Sequence, residues 1–153
     1  MTTFIGDYTC KLDAKGRVML PAAFKKQLGG GVQEKFVVKK DVFESCLVMY
    51  PMDEWERQSK IIRKKTNPYN RKHNAFLRKF FMGTAEVVLD ANNRILIPKR
   101  LIDEIEADKE LVLAGQNGKI EVWSKTKYEN MDISDNDFAD MAEEIFDGFE
   151  DDE

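Results

Sequence analysis

Two aspartates and two arginines are the residues of this chain whose spacing suggests chemistry. Asp13 and Arg17 stand four apart in Leu-Asp-Ala-Lys-Gly-Arg, and Asp90 and Arg94 stand four apart in Leu-Asp-Ala-Asn-Asn-Arg. An Arg directly after a tight turn can pair with the Asp four residues earlier. It can also offer its planar fork to phosphate oxygens or to the acceptors of a guanine edge. The two uses are compatible, because an Asp that orients the Arg lowers the entropy cost of binding. Lys11 and Lys15 add charge around the first loop. The second loop has Asn92 in place of Lys15 and gains Lys99 and Arg100 where the first repeat has Ala22 and Ala23. The candidate nucleic-acid contacts are therefore Arg17, Lys15, Lys11, Arg94, Lys99 and Arg100. Asp13, Asp90, Gly16 and Asn93 are the candidates for shaping the loops. The extra lysine places the stronger contact on the first loop.

Other chemistry finds little support. Asp13 and Asp90 could be a carboxylate pair, but an Asp ahead of a turn Gly or Asn more commonly bonds its own turn backbone. The run Gly29–Gly31 lacks the following Lys-Ser/Thr of a phosphate loop and reads as a helix end or a strand link. No Ser or Cys stands in a nucleophile context. Cys10 and Cys46 lack a CxxC spacing, and His73 alone is too little for a zinc site, so no metal and no cofactor are expected. His73 itself reads as a solvated surface residue of a basic segment. The residues indicate no enzyme and no small-molecule substrate.

The elements around the two motifs repeat as well. Laying Asp13 on Asp90 also lays Arg17 on Arg94, Pro21 on Pro98, Phe24 on Leu101 and Leu28 on Ile105. "FVVKK" at 36–40 then matches "LVLAG" at 111–115, and "LVMYPMDEW" at 47–55 matches "IEVWSKTKY" at 120–128. Each copy reads as a strand, a tight turn, a second short strand, a Pro-led short helix and two further strands. Gly16 and Asn93 are the types that tolerate positive φ in such a turn. Pro21 and Pro98 suit a first helical turn. "QNG" at 116–118 marks a hairpin. Two copies suggest a pseudo-two-fold unit rather than a solenoid. The expected fold is α+β, mainly β with short helices. Residues 5–53 and 82–126 form the repeats, 54–81 a basic helical linker, and 127–153 an acidic tail that is amphipathic or disordered.

Charge is divided along the chain. The net is −4, yet Glu129–Glu153 holds 12 acidic residues and no basic one, leaving 24 basic against 16 acidic in residues 1–128. Residues 57–82 hold nine Lys or Arg and no acid. That one-sided stretch reads either as a solvated helix face or as attraction to a nucleic-acid backbone. It is expected to form two helices about the turn "TNPYN". The aromatics Tyr50, Trp55, Phe76, Phe80, Phe81 and Trp123 are expected in the core. In the tail, Phe138, Met141, Ile145 and Phe149 fall three or four apart, as on an amphipathic helix. The apolar runs are too short to span a membrane, and the N-terminus lacks the pattern of a signal peptide. A cytoplasmic protein is expected.

"FIGDYTCKLDAKGRVMLPAAF", "CLVMYPMDEWE" and "LDANNRILIPKRL" together resemble the MraZ family of bacterial transcriptional regulators. The resemblance covers about residues 4–128 and leaves the tail outside. It implies an AbrB/SpoVT-like architecture, two swapped-hairpin β-barrel halves per chain. It implies assembly into a ring that reads repeated boxes of double-stranded promoter DNA. The function implied is repression of the family's own division and cell wall operon, at the nucleoid. Carried onto this chain, the family's DNA-contact motif falls on Asp13 and Arg17 and on Asp90 and Arg94. Asn93 departs from the Gly that commonly precedes the Arg. An alternative reading is a protein-interaction module related to antitoxins, with the acidic tail engaging a partner.

Overall fold

Breakers and caps fall at matching places in the two repeats, so the same elements form twice. The computed structural model describes residues 2–29 and 34–148. The first repeat contributes β1 (Asp7–Lys11), β2 (Arg17–Met19), α1 (Ala22–Gln27), β3 (Lys35–Lys40) and β4 (Leu47–Pro51). Two helices follow, α2 (Met52–Lys65) and α3 (Arg71–Phe81). The second repeat contributes β5 (Ala85–Val88), β6 (Arg94–Leu96), α4 (Lys99–Glu104), β7 (Glu110–Gln116) and β8 (Lys119–Ser124). Two helices close the chain, α5 (Lys125–Glu129) and α6 (Asp135–Phe146). Gly30, Gly31 and Phe149 lie outside the described residues.

The repeats are interleaved. One six-stranded sheet runs β1-β7-β8-β4-β3-β5, and a two-stranded sheet pairs β2 with β6. Each first strand therefore pairs with the other repeat: β1 lies antiparallel to β7, and β5 antiparallel to β3. Exchanging the repeats maps the strand order onto its own reverse, which defines a pseudo-two-fold axis. That axis passes the Val18–Ile95 pair in the small sheet and the Val48–Glu121 pair in the large one.

One core serves both halves. Val18, Leu20 and Phe24 from the first repeat pack with Ile95, Ile97 and Leu101 from the second. Phe24 is fully buried and meets the edges of Phe4 and Tyr8 at ring-centroid distances of 5.4 and 5.2 Å. Pro21 and Pro98 stand as N-caps with ψ of 137° and 136°, so each helix starts one residue later than a Pro-first helix would. Their extended ψ turns the chain from β2 or β6 toward the helix. The Asn117–Gly118 turn joins Gln116 to Lys119 as its composition suggests, with Asn117 at φ 58°.

The linker departs from two expectations. His73 is not merely solvated: its Nδ1 accepts the Asn67 amide at 2.8 Å and closes the turn between α2 and α3. The aromatics are also not uniformly core. Tyr50 and Trp123 are buried, and Trp55 touches Tyr50, Phe80 and Phe81, but Phe76 and Phe81 are each about two-fifths exposed on α3. Helical spacing places a stripe on one face without saying whether anything covers it.

Phe24→Ala should cost about 3–5 kcal/mol, since it leaves a cavity under both repeats. A urea titration checks this. A loss below 1 kcal/mol would contradict a shared core at this position.

Candidate nucleic-acid interface

Each turn is wound around one carboxylate. Asp13 Oδ1 accepts the amides of Lys15 and Arg17 at 2.9 and 2.8 Å, and Oδ2 accepts Arg17 Nε at 2.7 Å. The backbone closes the same loop, with Asp13 N donating to Arg17 O and Gly16 N donating to Asp13 O. The second turn repeats the pattern. Asp90 Oδ1 accepts from Asn92 and Arg94 amides at 2.8 and 2.9 Å, and Oδ2 from Arg94 Nε at 3.2 Å. Gly16 and Asn93 both take the left-handed conformation, at φ 87° and 61°. The Asp–Arg pairing and the Asp-bonded turn therefore occur together, as one unit.

The pairing leaves the business end of each Arg open. Nε is engaged by the Asp, and among the described residues neither pair of terminal guanidinium nitrogens of Arg17 or Arg94 has a hydrogen-bond partner. An Arg held by Nε presents its remaining donors as a fixed fork. The β2–β6 register then sets the two arginines on one face of the ribbon, diagonally across it. Arg17 faces Leu96, Val18 faces Ile95 and Met19 faces Arg94. Strand alternation puts Arg17, Met19, Arg94 and Leu96 on one face. The opposite face buries Val18 and Ile95, while Met19 and Leu96 are more than half exposed.

The loops are also locked to each other. Ile97 N donates to Gly16 O at 3.0 Å, and Leu20 N donates to Asn93 O at 2.9 Å. A Cβ built on Gly16 would stand 3.0 Å from Ile97 O. Gly suits the left-handed φ of the first loop and spares it this tight contact, while Asn93 fills the equivalent place in the second.

A cleft of about 680 Å³ lies beside the first loop and carries Lys11, Lys15, Lys99 and Lys109 on its walls. Three predicted lysines, from two repeats, thus share one cleft with Asp13 and Gly16. Asp103, Asp108 and Glu110 also line it, yet none of Lys11, Lys15 or Lys99 is ion-paired among the described residues. Arg100 is placed elsewhere: its Nη1 donates to Gly83 O at 2.6 Å and ties α4 to the start of the second repeat. Met19, Leu96 and Lys109 belong to this surface and are absent from the sequence-derived set. Alternation along β2 and β6 could have flagged Met19 and Leu96, since both are apolar on the face away from Val18 and Ile95.

A second group of ligand-type atoms lies apart from the loops. Asp41, Cys46 and Glu121 bring a thiol and two carboxylates within 4.8 Å of one another. Burial, followed by the charges of Glu121 and Asp41, pushes the Cys46 thiol up to about 12. Asp41 Oδ2 already accepts the amides of Phe43 and Glu44, and Glu121 accepts the Trp123 indole. This arrangement closes the β3–β4 loop.

Backbone donation from Arg17 chiefly holds the Asp13 carboxyl below its ordinary value of 3.8, and the Arg94 amide does the same for Asp90. A depressed folded-state value stabilises the loops above the ordinary aspartate range, and that contribution is lost as pH falls through the depressed values. Carboxyl-carbon NMR should give both aspartates midpoints below 3.8. Amide exchange at Lys15, Arg17, Asn92 and Arg94 should rise only below those midpoints.

Comparison with known proteins shows the family of the chain. A family described as "MraZ protein, putative antitoxin-like" matches twice, over residues 3–79 and 80–148. A "Transcriptional regulator MraZ" from Christiangramia forsetii is 46% identical over 95% of this chain and 94% of its own. Its counterpart from Flavobacterium psychrophilum is 44% identical over 100% of this chain and 98% of its own. That from Clostridium acetobutylicum is 36% identical over 93% and 96%. The second match reaches residue 148, so the expectation that the acidic tail stands outside the family is corrected: α6 lies within it.

Proposed function

The chain belongs to the MraZ family, whose named relatives are transcriptional regulators, and from that premise we propose that it reads promoter DNA through the β2–β6 ribbon. One observation carries this reading: the strand register sets Arg17 and Arg94 diagonally on one face of the ribbon, each tied at Nε and open at its terminal nitrogens. A two-stranded ribbon fits the major groove of B-DNA. The open guanidinium forks suit guanine O6 and N7, and Met19 and Leu96 between them suit thymine methyl groups. Lys11, Lys15 and Lys99 flank the ribbon as phosphate contacts. They hold register and supply salt-sensitive affinity without reading sequence.

The first loop dominates, because Lys15 has only Asn92 as its counterpart. A single ribbon is a weak reader, since one bidentate Arg pair discriminates by about 1–3 kcal/mol. Repeated boxes read by a ring of copies multiply that through effective concentration. The target is the protein's own division and cell wall operon, which it represses in the cytoplasm at the nucleoid. The residues support binding rather than catalysis. No helix among the described residues is long and apolar enough to cross a membrane. Arg100 acts as a structural tie between α4 and Gly83 in this scheme, with a lesser part in DNA contact.

Arg17→Ala should weaken binding to DNA from upstream of its own gene by about ten- to a hundredfold. Arg94→Ala should have a smaller effect. Gel shifts measure both, and full affinity in Arg17→Ala would refute the ribbon as the reader. Lys15→Ala should instead weaken binding evenly across sequences and flatten the salt dependence by roughly one phosphate contact.

A further inference from the structure

Helix α6 is open on every side. Its twelve residues include none that is buried, and Phe138, Ile145 and Phe146 are each about two-thirds exposed or more. Ser134 caps it by accepting the Asp137 amide, and Asp135 and Asp137 suit its N-terminal turn. The far end has no such help: it carries Glu143 and Glu144 and no basic residue in its last turn. A helix of this length is marginal in water without a packed face. Phe138, Met141 and Ile145 make one apolar edge about 10 Å long, bordered throughout by carboxylates.

A complementary surface is open on the same chain. The β3–β4 loop and α3 frame a groove of about 350 Å³. Its apolar parts are exposed: Val42, Phe76 and Met82 are each about half exposed. Lys39, Lys40 and Lys79 line it, with Asp41 and Glu104 as its acids. Lys39 Nζ sits 4.1 Å from the Phe80 ring centre and donates to Lys40 O, so part of this charge is fixed in place. The segment around it, 57–82, has nine cations and no acid.

We propose that α6 of one copy seats its Phe138–Met141–Ile145 edge in the β3–β4/α3 groove of a second copy. Apolar edge meets apolar groove, and an acidic rim meets a basic one. Among the described residues of a single chain both surfaces are exposed, and the proposal gives each to a neighbouring copy. The contact joins two different surfaces, so it is head-to-tail and closes into a ring when the rotation between copies allows. This inference rests on the ring reading above and supplies its clasp.

The test uses the full chain. Light scattering after size exclusion should give an assembly for the native protein and a smaller species for Phe138→Glu/Ile145→Glu, with an unchanged far-UV spectrum of the repeats. A native protein of single-chain mass would overturn the ring reading and the clasp together. An assembly that survives both substitutions would overturn the clasp alone. A pair, Val42→Cys with Ile145→Cys, is then bridged by a short bis-maleimide on a Cys10→Ser background. Ladders between chains are expected on denaturing gels. Bridging within one chain, or none at all, would refute docking between copies.

Discussion

The structure depends on the exchange of first strands between the repeats. A two-stranded hairpin alone is marginal in water. Here β1 gains β7, β5 gains β3, and β2 gains β6. The turns are part of the exchange rather than appended to it. The carbonyls of Gly16 and Asn93, the two left-handed residues, accept Ile97 and Leu20 amides of the opposite repeat. The conformation that makes each turn is thus the one that aims its carbonyl across the axis. Either half alone would leave a ribbon strand, a turn carbonyl and half a core unsatisfied.

That dependence reaches the arginines. Their separation follows from the β2–β6 register, and their orientation from Asp13 and Asp90. The carboxylate divides its work: Oδ1 fixes the turn through two amides, and Oδ2 fixes the guanidinium. A lysine could pair with the same oxygen only by giving up the one charged nitrogen it has. Arginine pairs through Nε and keeps two nitrogens to present. The same turn therefore accounts for both the repeated Asp and the repeated Arg. Exposed Met19 and Leu96 share that face with the two arginines, opposite the buried Val18 and Ile95.

What could be read from the residues was local. The repeat, both turns and their left-handed residues, the Asn117 hairpin and the two linker helices all follow from breakers and periodicity within a few residues. What depended on distant partners was harder. Alternation identifies β1 as a strand but does not choose between β3 and β7 as its neighbour; the swapped pairing came with the family resemblance, not with the pattern. Arg100 looks like a free cation at a helix start until Gly83 O is found 17 positions away in sequence. Phe76 and Phe81 satisfy helical spacing whether covered or bare. The tail was hidden by its composition: acidity argued for an appendage, while the family match through residue 148 makes it part of the unit.

The divided charge then has a physical consequence. A chain with a basic body and an acidic end carries opposite charges that attract each other. At physiological ionic strength exposed charges are screened beyond about 8 Å, so the tail feels that attraction only if it can approach closely. Its apolar edge decides where it rests. Carboxylates alone would be drawn to any basic surface, loops included, whereas Phe138, Met141 and Ile145 gain only where apolar area is also available. The loop cleft has Leu12, Ala14, Ile102 and Ala107 among its lysines and acids; the α3 groove offers the half-exposed Val42, Phe76 and Met82. An α6 held in that groove is also an α6 kept off Arg17 and Arg94.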